Sequence, residues 1–459
     1  MIQTAPSSGR INTNLHLTAF DVFERSTAES SPHWLQAIRK AGISHFAELG
    51  FPTLKDEEWR YTNVAPIAKL PFRTRVEDRL SPDLIEAHGF GLDCYRLVFS
   101  NGSFLPALSN IALQGTETTQ EGGIIGTLSA ALSTAAKHNS PTNDAVFLLP
   151  ALRKHLGRQA RANENAFVAL NTAFVYDAAV IVLPGQVKLT KPIHILHFTS
   201  SPKEPITTFP RTLIVAGPES EAKVIEHYVG FEAEEYFSSA VTEIDLEGGA
   251  RIEHCKLQEE SAAAFHIATI QAHQAARSHL LSHSISIGAK LARNNINGVL
   301  DGSGIECTLN GLYLAKGDQL VDHHTALEHA KPHCNSHEFY HGILNDRATG
   351  VFNGKIFVRP DAQKTDAKQT NRNLLLSDDA TVNTKPQLEI FADDVRCTHG
   401  ATVGQLEEEA IFYLRARGIG LDNARRMLVH AFAADIVNRI TIDEVREKLD
   451  QQLFDLFEK

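Results

Sequence analysis

Cysteine is scarce in this chain. Five occur among 459 residues, Cys94, Cys255, Cys307, Cys334 and Cys397, and no two form a Cys-x-x-Cys pair. That spacing excludes a locally written zinc ribbon or ferredoxin-type cluster site. A metal centre would have to draw ligands from distant segments or from a second chain. Long apolar runs are missing too, and nothing approaches the roughly 18 residues of a membrane-spanning helix. The opening MIQTAPSSGRINTNLHLTAF holds no apolar signal core and little arginine, so a cytoplasmic protein is expected. Nucleotide-binding loops are absent. GVFNGKI, from Gly350 to Ile356, comes nearest, but its glycines are wrongly spaced and no Ser or Thr follows Lys355. No G-x-G-x-x-G opens a helix after a strand, and no G-x-S-x-G occurs. This chain is therefore expected to bind no nucleotide. Positive charge is in deficit, with a formal net charge of -11. Such a balance argues against nucleic acid or an anionic membrane as partner.

What is present changes along the chain. Between Phe20 and Leu54, the residues Trp34, Leu35, Ile38, Ile43 and Phe46 recur at roughly helical spacing. YRLVFSNGSF reads as strand around an Asn101-Gly102 turn. Gln114 to Asn143, rich in Gly, Thr, Ser and Ala, reads as a linker with a short helix. From about Ala166, β-rich runs follow one another: AAVIVLPG, PIHILHFTS, RTLIVAG, SAVTEIDLEGG and ARIEHCKLQ. No amphipathic helix separates them, which excludes a doubly wound α/β sheet.

Further on, turn-forming clusters fall at Asp301, Lys316, Lys331, Asp346, Asp361, Asp378 and Asp393, spaced by 15 residues apart from one gap of 17. Single strands at a short fixed period cannot each bury an apolar face; stacked as rungs they bury one continuous core. A mainly β fold built on a parallel β-helix is predicted, with a sandwich of hairpins as the competing arrangement. After Gly404 the pattern turns helical. Thr402-x-x-Gln405 and Thr441-x-x-Glu444 fit capping boxes, and Glu407, Glu408 and Glu409 would occupy a first turn. A helix from Asp422 would carry Ala424, Met427, Leu428, Ala431, Phe432 and Ile436. The expected domains are 1–155, mainly helical with some strand; 156–400, the β-helix; and 401–459, helical. The last would seal the open end of the solenoid or dock a partner.

Two places invite metal chemistry. DHHTALEHAKPHCNSHEFYH holds His323, His324, His329, His333, His337 and His341 with Cys334. Neutral imidazoles suit transition metals, but Pro332 and the break at Lys331 interrupt any single element, and packing along the rungs is the favoured reading. In DDVRCTHGATVG, Cys397 and His399 are two apart and project to one face of an extended segment. Two ligands make a poor site where a tetrahedral metal wants four. The residues alone leave half of an intersubunit site or ordinary packing, with packing slightly favoured.

Longer segments resemble a known family. PQLEIFADDVRCTHGATVGQLEEEAIFYLRARGI is similar to the C-terminal signature of the SufB/SufD family of iron–sulfur cluster assembly proteins. DHHTALEHAKPHCNSHEFYHGIL and NGKIFVRPDAQKTDAKQTNRNLLLS resemble its preceding core segments, and PTLKDEEWRYTNV its N-terminal region. The resemblance runs from about Asp301 to the end and is weaker upstream. It implies a right-handed parallel β-helix between helical N- and C-terminal domains, and no enzyme activity in the chain itself. It implies a heterodimer through the β-helix with a SufB-type paralogue, and a SufC-type ABC ATPase bound through the C-terminal helices. Phe432, Ala433, Ile436 and Val437 are the residues offered for that docking. The family assembles a nascent iron–sulfur cluster at the SufB–SufD interface, where a histidine matches His399 and Cys397 is an uncertain neighbour. Reduced FAD is associated with such complexes, although no flavin motif stands here. SufB-like chains carry a cysteine directly after the tyrosine of the Phe-Tyr helix; here that place holds Leu414, which cannot ligate iron. The resemblance is therefore to the SufD branch, with iron or the cluster shared with the partner. A homodimer in isolation, a SufB-like scaffold binding a cluster alone and a β-helix carbohydrate-active enzyme remain as alternatives.

Overall fold

A computed structural model describes residues 13–71, 80–136, 143–201 and 203–456. The start of the chain and positions 137–142 of the expected linker lie outside these. The N-terminal part carries α1 (Asn14–Thr27), α2 (His33–Leu49), α3 (Pro82–Ala87), β1 (Tyr95–Ser100), β2 (Ser103–Phe104), β3 (Thr116–Thr118), β4 (Ile124–Thr127), α4 (Leu128–Ala136), α5 (Asn143–His155) and α6 (Ala166–Phe174). Strands then follow without intervening helices: β5 (Ala179–Leu183), β6 (Ile193–Thr199), β7 (Ile206–Thr208), β8 (Arg211–Ala216), β9 (Glu221–Gly230), β10 (Tyr236–Leu246), β11 (Arg251–Glu260), β12 (Phe265–Gln274) and β13 (His279–Gly288). The series continues with β14 (Leu291–Leu300), β15 (Glu306–Ala315), β16 (Leu320–His329), β17 (Asn335–Leu344), β18 (Thr349–Val358), β19 (Asp366–Leu375), β20 (Thr381–Ile390) and β21 (Arg396–Gly404). The chain closes with α7 (Glu408–Arg415), α8 (Leu421–Val437) and α9 (Asp443–Leu456).

Near the start β1–β2, β3–β4 and β4–β5 pair as antiparallel neighbours; among the later described strands consecutive ones do not pair. From β8 on, each joins the strand two places along, in parallel, so the chain alternates between two sheets. One sheet runs β2-β1-β6-β9-β11-β13-β15-β17-β19-β21 and the other β20-β18-β16-β14-β12-β10-β8-β5-β4-β3. Thr308 faces His337 and Leu320 faces Thr349, each two turn clusters along the chain. The 15-residue period is thus half a rung, and all seven clusters lie between strands. The parallel β-solenoid is the observed fold, and no sandwich of hairpins forms among the described residues. The sheets begin earlier than residue 156, because β1 to β4 already belong to them. In the stretch expected as a linker with a short helix, α4 is a short helix, and the residues before it form β3 and β4. At Asn101 and Gly102 both φ angles are positive, 48° and 80°, as a tight hairpin between β1 and β2 requires.

Alternation along each strand sends one set of side chains into the lumen. Ile244, Ile270, Ile296 and Leu327 stack there from successive rungs of the second sheet, against Ile252, Leu280 and Leu309 of the first. Burying each is worth roughly 1.5–3 kcal/mol relative to exposure. Helices cover parts of both outer faces. α2 crosses α6 where Gly42 leaves no room for a side chain: a Cβ there would stand 2.7 Å from the Ala173 nitrogen. α6 is tied to the sheet by Arg211, whose Nη1 donates to Asn171 (3.0 Å) while Nη2 pairs with Glu243 at 2.5 Å. Trp59, in the segment resembling the family's N-terminal motif, lies against the Arg293 guanidinium, 3.7 Å from its ring centre. Arg293 and Thr62 both donate to Asp322 of β16, at 2.8 and 2.5 Å. Burial opposes ionisation of Asp322, but Arg293, His324 and Thr62 outweigh it and hold the carboxyl far below its usual range.

The C-terminal helices do not seal the solenoid's end. They fold back along the outer face of the first sheet, and α8 packs on β15 and β17. Ala433, Ile436 and Val437 are buried in one cluster with Leu257, Ile285, Leu312, Leu314 and Ile343 of the sheet and Val445, Leu449 and Leu453 of α9. Phe432 stacks on His341, with ring centres 4.5 Å apart, and its carbonyl lies 3.0 Å from His341 Nδ1. These residues form the helix's inward face, which corrects their assignment to partner docking. Neither expected capping box forms. Thr402 lies within β21, and Glu407 is the N-cap of α7 without a side-chain cap bond. Thr441 is held instead by Glu253 of β11, which accepts its backbone N–H at 2.9 Å. Glu408 and Glu409 do occupy the first turn of α7. Among the described residues no helix is long and apolar enough to cross a membrane.

Candidate functional site at the open end of the solenoid

β20 and β21 form the last rung, and each is the edge of its sheet. Their outer backbone edges are left to solvent or to a partner, an arrangement that invites strand pairing. Exposed apolar side chains stand on and beside them: Ile390, Phe391 at 58 % and Val403 at 48 % exposure.

Cys397 and His399 both lie on β21 and share its inner face, as their spacing predicts. Their surroundings differ. Cys397 is half-buried against Ile356, Val358, Ala362, Ala367 and Ala392. That burial, with the Asp366 carboxylate nearby, pushes its thiol up and disfavours the thiolate a metal needs. His399 is exposed and has no hydrogen-bond partner among the described residues. α7 begins only at Glu408, so its dipole fades before either residue.

Beneath His399 lies a polar ladder. His399 is in register with Gln369 of β19, and Gln369 with Glu338 of β17. Gln369 and Glu338 are buried. Gln369 Nε2 donates to Glu338 Oε1 at 3.3 Å, and the Thr325 hydroxyl donates to Glu338 Oε2 at 2.5 Å. Burial pushes the Glu338 carboxyl up to about 7, against the pull of those two donors. Glu338 and Gln369 carry no motif of their own. The only signal for them was alternation, which assigns Glu338 of NSHEFYHGIL and Gln369 of DAKQTNRNLL to the lumen.

The histidine run is dispersed. His323 turns inward and stacks on Tyr313, His329 turns inward to Ser336, and His324 turns outward to Asp322 and Glu58. His333 sits in the turn between β16 and β17. His337-Glu338-Phe339-Tyr340-His341 spells H-E-x-x-H, a zinc pattern when it lies on a helix. On the strand β17 its two histidines are about 13 Å apart and Glu338 faces the other way. Among the described residues no group of three or more His, Cys, Asp or Glu side chains could hold a metal ion. These histidines are spread over both faces of the rungs and a turn, and His399 by itself offers one ligand.

Comparison with known sequences gives this rung its context. The family described as SUF system FeS cluster assembly, SufBD core domain, matches residues 197–432, and the SufBD protein N-terminal region matches residues 12–195. The chain belongs to the SufBD family. A SufBD family protein of Synechocystis is 34% identical over 424 residues, covering 90% of this chain and 89% of its own length. The iron–sulfur cluster assembly protein SufD of Escherichia coli is 31% identical over 430 residues, covering 93% of each. The chloroplastic protein ABCI7 of Arabidopsis thaliana is 27% identical over 432 residues, covering 92% of this chain and 86% of its own length. In this SufBD chain the position after the tyrosine of α7 is Leu414, a half-buried aliphatic side chain with no atom to offer iron.

Proposed function

We propose that this SufBD protein is the SufD-type, non-ATPase subunit of a SUF assembly complex, and that its open rung is one half of an interface on which a nascent iron–sulfur cluster forms. The observation that carries this reading is the pairing of two bare edge strands with one exposed, unpartnered histidine. Such a rung is incomplete alone. A second solenoid of the same kind, a SufB-type paralogue, would extend both sheets and supply the missing thiolate. His399 would then ligate iron or the cluster, which is cargo of the complex. Cys397, protonated and packed, contributes little.

The SufC-type ATPase docks, in this reading, on the outward side of the C-terminal helices. Phe412 and Tyr413 of α7, at 73 % and 56 % exposure, and Met427 of α8 are available there. Reduced flavin belongs to the assembled complex, and no residue of this chain is assigned to it. The deciding experiment is His399→Ala in the co-purified complex, followed by iron and sulfide analysis. The complex should assemble and hold little iron. Full cluster yield would sink the role.

A further inference from the structure

We infer that Gln369 is a positioning residue for His399: its side-chain oxygen receives an imidazole N–H and fixes the ring so that the other nitrogen faces out of the open end. The inference rests on His399 being a ligand of the cargo. Three observations support it. Gln369 Nε2 is committed to Glu338 one rung back, so the amide oxygen is directed away from Glu338. That oxygen is buried and has no partner among the described residues, a state that costs about 1–3 kcal/mol unless an N–H or a water is supplied. The next residue along the ladder is His399, one strand spacing of about 4.8 Å further on.

The amide also has a seat made for it. Gly354 of β18 lies under it, and a Cβ on Gly354 would stand 2.1 Å from Gln369 Nε2. Glu338 is anchored in turn by Thr325 from the opposite sheet. Imidazoles that bind metal commonly donate their second N–H to such an acceptor, and losing it typically costs 10–100-fold in affinity. The ladder Glu338–Gln369–His399 supplies that acceptor from within the solenoid and leaves the cargo side of the ring free.

The test uses Gln369→Met, which keeps the length and removes the acceptor, in the full chain and in the complex. Its partners are Gly354→Ala, which keeps the amide but unseats it; Glu338→Gln, which keeps an acceptor for Gln369; and His399→Ala. Nitrogen NMR of histidine-labelled protein at pH 8 reports the tautomer of His399, assigned by its loss in His399→Ala. Wild type and Glu338→Gln should show one dominant tautomer. Gln369→Met and Gly354→Ala should show a mixture, with about tenfold weaker iron binding by the complex. An unchanged tautomer in Gln369→Met overturns the positioning role whatever the iron result. Full iron binding in His399→Ala overturns the ligand reading instead, so the two failures are told apart.

Discussion

Glu338 is a carboxyl in a site that disfavours its charge. Burial raises it to about 7 from an ordinary 4.5. Between these values the folded protein keeps a proton that the unfolded chain has lost, so stability falls as pH rises through that window and the loss is complete above about 7. Glu338→Gln removes the penalty while keeping an acceptor for Gln369. Urea unfolding should show the variant close to wild type at pH 4.5 and more stable at pH 8, by up to about 3 kcal/mol. Equal stability at pH 8 would mean that the site does not disfavour the charged carboxylate. Cys397 and His399 make the complementary residue-scale case. Cys397→Ala loses a half-buried thiol and should leave most of the iron loading of the complex intact, whereas His399→Ala should not. Iron analysis of the two purified complexes decides, and equal losses would restore Cys397 as a ligand.

At the scale of elements, α8 shows where sequence reading stops. Phe432, Ala433, Ile436 and Val437 form an apolar helix face, and such a face reads the same whether it meets the chain's own sheet or another protein. Only the placement of Leu312, Leu314 and Ile343 on the outer side of the solenoid, which depends on strand register, settles that it is covered internally. Strand existence was legible because turn residues recur at fixed intervals, and the shared face of Cys397 and His399 followed from a period of two. Gln369 was not legible, since a lone amide has no motif and its worth depends on Glu338 and Gly354 from other rungs. The α8 packing yields a prediction. Removing the chain after Gly420 uncovers the sheet's outer face and should lower the thermal midpoint and promote aggregation. Phe412→Ala with Tyr413→Ala, both on the outward side of α7, should leave the midpoint within about 1 °C and weaken ATPase pull-down. Melting curves and pull-downs on the two variants separate folding from docking, and undiminished pull-down would place the ATPase elsewhere.

For the whole molecule, the two ends of the solenoid differ in kind. At the start, the sheets finish in antiparallel strands of two and three residues, Ser103–Phe104 and Thr116–Thr118. Edges this short give another chain little to pair with. At the other end, β20 and β21 run for 10 and 9 residues with bare edges. The C-terminal helices lie on the flank and leave that end open. A molecule with one sticky end pairs once and stops, while two sticky ends would give a filament. Isolated chain should therefore pass reversibly from monomer to dimer with rising concentration and go no further, and a SufB-type partner should displace the second copy. Val403→Lys with Phe391→Lys places charge at the open rung and should shift the equilibrium at least tenfold toward monomer without lowering the thermal midpoint. Sedimentation velocity across a concentration series reads this directly. Species larger than dimer would show that the blunt end also pairs, and unchanged dimerisation in the double variant would put the contact away from β20 and β21.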